Sequence, residues 1–227
     1  MHPSLEIPIN HPRPRWSSLA MRFPGEKECL AAYIALETAE VLANAKPASL
    51  LSISNRERAC GRNLYTLWKD HGNELLEETP LFAVELLDRG SSMLILFCHK
   101  IHFEEHIARR DITALLKRAG YGNEITPHGI CRELGKRLQK GSFPHEIGLL
   151  LGYPPKDVAA FMGLIRIPFT CQGPWKIYGN PGASLRLAER FRQCRDLMAE
   201  QLSWCASAVQ CLNDLAASPQ SFFVPKY

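Results

Sequence analysis

Residues 81–100 read LFAVELLDRGSSMLILFCHK. Two apolar runs, Leu81–Leu87 and Met93–Cys98, flank Asp88-Arg89-Gly90-Ser91-Ser92. Short apolar runs joined by a glycine-containing loop predict a β-hairpin. The second run is apolar at nearly every position, which predicts a strand covered on both faces. Ala48–Ser54 (ASLLSIS) reads as a further short strand. Shorter extended segments are expected at Leu164–Phe169 and Trp175–Tyr178.

Around these strands the apolar spacing is helical. A first helix is expected over Gly25–Ala45, ended by Lys46-Pro47, because a residue before proline avoids the helical region. Asn55 is read as the N-cap of a helix running to about Lys69 and broken at Gly72. Phe103–Ala119 is helical with a break near Asp111. Thr126-Pro127 opens a helix to about Lys140, closed by Gly141. Ser142 or Pro144 begins the next, which stops at Gly152. A short helix around Asp157, Val158 and Phe161 ends near Gly163. From Pro181 to about position 216, Leu187, Phe191, Cys194, Met198, Leu202, Cys205, Val209 and Leu212 step by three or four, one long amphipathic helix. The expected class is α+β: a mostly helical single domain with a small sheet and a long C-terminal helix. It spans residues 25–217, between a proline-rich extended arm (1–24) and a tail (218–227).

The totals narrow the function classes. A chain of 227 residues buries roughly 70% of its unfolded surface. The formal net charge of +4 from 27 basic and 23 acidic residues is mild, and the two signs interleave, so no nucleic-acid stripe is expected. There is no apolar run near the ~20 residues that span a bilayer and no signal-peptide pattern. The eight cysteines form no Cys-x-x-Cys pair and read as reduced thiols. A cytoplasmic protein is expected.

SFPHEIGLLLGYPPKDVAAFMG (142–163), CQGPWKIYG (171–179), ANAKPASL (43–50), the strand MLILFCHK and the Gly120-Tyr121 loop occur in this order. Together they closely resemble the uncharacterised bacterial family catalogued as a domain of unknown function, number 3793, over roughly residues 28–200. Two positions depart from that family's pattern: Glu40, near a common proline, and Cys98-His99, where Tyr-Arg is frequent. The resemblance implies no mechanism. It implies an anaerobe's protein with a link to iron or haem handling.

No catalytic signature appears, so the candidate residues are argued singly. Ser142 can cap a helix whose first turn holds Pro144 and Glu146, where the dipole favours an acid. His145 has less of a structural reason: its imidazole can serve as a general base, metal ligand or haem ligand, or equally satisfy a buried carbonyl; with Glu146 it forms the catalytic candidate. Leu149 stands where a zinc-protease pattern needs its second histidine. Cys171, Trp175, Lys176 and Tyr178 crowd one loop, and Trp175 and Lys176 alternate on an extended segment. With Lys46 and Phe143 they form the ligand-binding candidate, for haem or an anion. His99, His102 and His106 are spaced as a metal set, but no metal is assigned. The leading expectation is a small-molecule-binding protein or enzyme. The alternative is a non-catalytic interaction module, a homodimer included, built on the terminal helix.

Overall fold

The computed structural model describes residues 15–122, 125–141 and 143–217. Ser142, residues 1–14 and the tail at 218–227 lie outside them. Strands β1 (Ala48–Ser54), β2 (Leu81–Asp88) and β3 (Ser92–His99) form an antiparallel sheet in the order β1-β3-β2. The expected hairpin is therefore present. It carries one irregularity: the register shifts between Glu85 and Leu87, leaving Leu86 as the extra residue of a bulge.

β3 is central, and its alternate residues enter two different cores. Met93, Ile95 and Phe97 join a core with α2 (Glu26–Glu37), α3 (Ala39–Leu42), α4 (Leu64–Leu76), α10 (Gly182–Trp204) and α11 (Ala208–Ala217). Leu94, Leu96 and Cys98 join a second with α5 (Lys100–Ala108), α6 (Arg110–Arg118), α7 (Pro127–Gln139), α8 (Ile147–Leu150) and α9 (Pro155–Phe161). This is why the strand is apolar on both faces. The class is α+β, with a small second sheet of β4 (Phe169–Gln172) and β5 (Lys176–Tyr178).

Several boundaries differ from expectation for identifiable reasons. Residues 16–22 are not extended: α1 (Trp16–Leu19) and a 3₁₀ turn over Ala20–Arg22 bury Trp16, Leu19 and Ala20. The first helix breaks at Thr38, whose hydroxyl donates to the Ile34 carbonyl at 2.7 Å. Asn55 caps nothing; its side-chain amide donates to the Gly90 carbonyl at 2.7 Å, tying β1 to the hairpin loop. Asn63 is the cap, accepting from the Tyr65 amide at 3.0 Å. Gly72 does not end α4 but lies inside it, where a Cβ would stand 2.7 Å from the Trp68 ring. The long terminal helix ends at Trp204 and restarts at Ala208. Glu28, from α2, accepts there from the Ser207 hydroxyl and the Ala208 amide.

Candidate functional site

Three of the stretches that carry the resemblance, 43–50, 142–163 and 171–179, converge. Gly152 has φ +74°, and a Cβ there would lie 2.6 Å from Cδ of Pro47. So the turn after α8 closes directly on the Lys46-Pro47 turn. Tyr153 then stacks on Trp175, ring centroids 4.6 Å apart and 22° from parallel. Trp175 meets Phe191 of α10 edge-on at 6.1 Å. The Lys46 ammonium lies over both Tyr153 and Phe191, 5.9 and 5.6 Å from the centroids, a cation–π arrangement.

Asp157 locks this cluster. Only 1% exposed, it accepts from the Trp175 indole at 2.9 Å, the Ser184 hydroxyl at 2.6 Å, the Tyr178 amide at 3.0 Å and the Lys156 ammonium at 2.7 Å. Burial opposes its ionisation. The donors, Lys156 first, outweigh burial and hold the carboxyl below its ordinary range. Lys156 also donates to the Tyr178 carbonyl at 2.6 Å. One carboxylate thus joins α9, β5 and α10.

The site residues expected from sequence do not share one cavity. Trp175 is buried in this cluster while Lys176 is exposed, so the expected alternation of faces holds. The Lys176 ammonium lies 5.4 Å over the Phe161 ring, and exposed His145 meets the same ring edge-on at 4.9 Å. Glu146, adjacent to His145, is buried and pairs with Arg137 at 2.7 Å. It does not occupy a helix's first turn, because α8 starts after it at Ile147. Arg137 also donates to the Ala119 carbonyl at 2.7 Å and stacks 4.3 Å over Tyr121. Burial, then Glu146, push the Tyr121 hydroxyl upward. Cys171 is half-buried beside Trp175 and Ile177. Tyr178 meets Phe169 edge-on at 5.9 Å. Phe143 lies elsewhere, on a cavity of about 300 Å³ near the hairpin loop, with Arg89, Ser92 and Leu138.

His99, His102 and His106 form a ladder, with ring centroids 6.3 and 6.4 Å apart. His99 Nδ1 accepts from the His102 amide at 3.1 Å, capping α5, and His106 Nε2 bonds the Leu149 carbonyl at 2.8 Å. Among the described residues no group of three or more His, Cys, Asp or Glu side chains converges to hold a metal ion.

A larger cavity, about 550 Å³, opens between β2 and α7. Phe82, Val84 and Leu86 line it from β2, and Pro127 and Cys131 from α7. Gly135 of α7 faces the β2 bulge: a Cβ there would be 3.4 Å from the Leu86 carbonyl oxygen, an ordinary van der Waals contact. His128, Arg132 and Lys136 also line it. They recur every fourth residue, so they form one row along α7. That row was legible in the helix expected over 126–140, but its residue types are common on solvated faces.

The fold is thus a two-core α+β unit in which two of the signature stretches, 142–163 and 171–179, are joined at one buried carboxylate. The family model described as protein of unknown function (DUF3793) matches residues 34–212, and the chain belongs to that family. No curated protein and no solved structure matches the chain.

Proposed function

We propose that this is a small-molecule-binding protein that takes an amphiphilic anion in the groove between β2 and α7. The observation that carries the reading is a row of three basic side chains along one wall of an apolar groove of about 550 Å³. That volume lies within the ordinary range of small-molecule sites. Phe82, Val84 and Leu86 would take the apolar body, and Arg132 and Lys136 would pair with a carboxylate or phosphate. Haem, with a flat apolar body and two carboxylates, belongs to this ligand class, so the iron-linked expectation is carried to this groove. His145 lines neither cavity described above. The eight free thiols support a cytoplasmic location, and no helix among the described residues is long and apolar enough to cross a membrane.

The test is calorimetric titration with dodecanoate and, separately, haemin. Binding of either should weaken by about tenfold or more when Arg132 and Lys136 become Glu, the equivalent of about 1.4 kcal/mol. It should be unchanged in His145→Ala. Failure of both ligands to bind the wild-type protein would reject the reading.

A second reading, a docking module, is favoured by Trp204. It is 83% exposed at the end of α10. Met21, 72% exposed, adjoins Arg22, which donates to the Cys205 carbonyl at 3.4 Å. If this surface joins two copies, light scattering will give a dimer that Trp204→Lys dissociates; a wild-type monomer rejects the dimer.

A further inference from the structure

From Val158 to Ala188 the chain has Arg166, Lys176 and Arg186 but no aspartate or glutamate, although 23 of its 227 residues are acidic, about one in ten. In this acid-free stretch large apolar side chains stay at the surface. Phe161, at the end of α9, is 42% exposed, and Phe169, at the start of β4, is 55% exposed. Ile165, in the segment that joins them, is 37% exposed. Apolar surface is more stable out of water, so a group of such side chains marks a contact face. The two rings belong to one face. Phe169 meets Tyr178 edge-on at 5.9 Å. Tyr178 and Lys176 stand two apart on β5 with fully buried Ile177 between them, so both point away from the side that Ile177 packs. The Lys176 ammonium lies 5.4 Å from the Phe161 centroid. The face thus runs from Phe169 through Tyr178 and Lys176 to Phe161. The acids nearest in the chain do not offset its charge. Asp157 is buried on its four donors, and Glu146 is buried on Arg137.

We propose that this face rests on an anionic bilayer surface. Phe161, Ile165 and Phe169 enter the headgroup layer, and Lys176 and exposed Arg166 pair with lipid phosphates. Binding of this kind adds apolar insertion to the attraction between cations and anionic lipid, and it needs no helix that crosses the membrane. The charge of the face, cationic and without acids, complements such a surface. A protein partner would call for pockets that take its anchor side chains, and none of these residues lines either cavity described above. A single-stranded nucleic acid would call for bare rings on which bases stack. Here Lys176 lies over Phe161, and an isoleucine offers no ring. The face shares no residue with the β2–α7 groove, so the proposal stands or falls apart from the ligand reading.

The full-length protein is mixed with vesicles of phosphatidylglycerol and phosphatidylcholine in equal parts, and separately with vesicles of phosphatidylcholine alone. The bound fraction is measured by cosedimentation. Partitioning into the anionic vesicles should be stronger by about tenfold or more, and should weaken as sodium chloride rises from about 0.1 to about 0.5 M, because salt screens exposed charges. Phe161→Ser combined with Phe169→Ser should lower it by about tenfold or more and keep the salt dependence. Lys176→Glu combined with Arg166→Glu should lower it and flatten the salt dependence. Hydrogen exchange on the wild-type protein decides without any variant having to fold: anionic vesicles should protect amides within 161–178 and leave those around Trp204 unchanged. No binding to anionic vesicles, equal binding to both vesicle types, or protection confined to the Trp204 surface overturns the proposal. So does protection of 161–178 by polyuridylate or by a glutamate-rich peptide in a protein that ignores vesicles, which would give the face to a nucleic acid or a protein.

Discussion

Asp157 accepts four hydrogen bonds while almost wholly removed from water. A carboxylate can do this because it has about four acceptor sites. An amide has one acceptor oxygen and places a donor where the other oxygen was. Asp157→Asn therefore leaves at least one of the indole, hydroxyl, amide and ammonium donors facing another donor. Each buried donor left without an acceptor costs about 1–3 kcal/mol, so we expect a stability loss of about that size or more, read from urea denaturation. Ser184→Ala removes one donor and leaves the carboxylate its other partners. It should cost only about 1 kcal/mol. Equal losses in the two variants would mean that Asp157 is not the hub. None of this was legible in the sequence. Asp157 follows Pro154-Pro155-Lys156, where an acid in a helix's first turn is explained by the dipole alone. Lys156 is its neighbour in the chain, but the other three partners arrive from residues 175, 178 and 184, and nothing local announces them. His145 and Glu146 show the opposite failure. They stand side by side in the chain, yet one is exposed against Phe161 and the other is buried against Arg137. Adjacency in sequence carried no information about a shared site.

Glycine ends two consecutive helical segments, and the two positions separate backbone strain from packing. Gly152 after α8 and Gly163 after α9 both have left-handed backbone, φ +74° and +72°. A Cβ at position 163 would meet nothing within 4 Å, whereas one at 152 would strike Pro47. Gly163→Ala should thus cost only the left-handed penalty, about 1–2 kcal/mol. Gly152→Ala should cost that plus about 1–3 kcal/mol of overpacking. Thermal melts of the two proteins give the comparison, and a Gly163→Ala loss as large as that of Gly152→Ala would refute the Pro47 contact. Both stops were readable from sequence, as was the hairpin, because glycine, proline and an apolar run on both faces act locally. The breaks at Thr38 and at Cys205–Ser207 were not. The first depends on a side-chain hydroxyl that serves equally well inside a helix. The second depends on Glu28, almost the whole chain away, accepting from the first amides of α11. Gly72 misled for a related reason. A breaker by propensity, it is retained inside α4 because the Trp68 ring fills the space a side chain would need.

Across the whole molecule, the two cores share β3, and the histidine ladder continues from its end. His99 closes the strand, with its amide on the Pro47 carbonyl at 3.0 Å. His106 ties α5 to the α8 carbonyl of Leu149. Arg190 of α10 acts on His102. The H-x2-H-x3-H spacing was visible from sequence, and with it a metal reading. What it could not show was the backbone: His99 and His106 spend ring nitrogens on capping and on a carbonyl. The consequence is a pH dependence. Burial is the first cause lowering all three histidines. Lys100, Arg109 and Arg190 add to it, while Glu105 and Asp111 partly offset it. A histidine whose folded value lies below the unfolded one, about 6.5, takes up protons more readily when unfolded. Its contribution to stability is therefore complete above pH 6.5 and is lost as the pH falls toward the folded value. Each such histidine adds at most about 1.4 kcal/mol of slope per pH unit within that window. Asp157 has the same sign but a separate window, because its contribution fades only as the pH drops below about 4. Urea midpoints measured from pH 8 to pH 4.5 should be flat above about pH 7 and should then decline. His102→Gln should reduce that decline, because an amide cannot take up the proton. Midpoints that hold constant down to pH 5 would mean that the ladder is charged, or exposed, in the folded protein, and the joint between the two cores would then need another account.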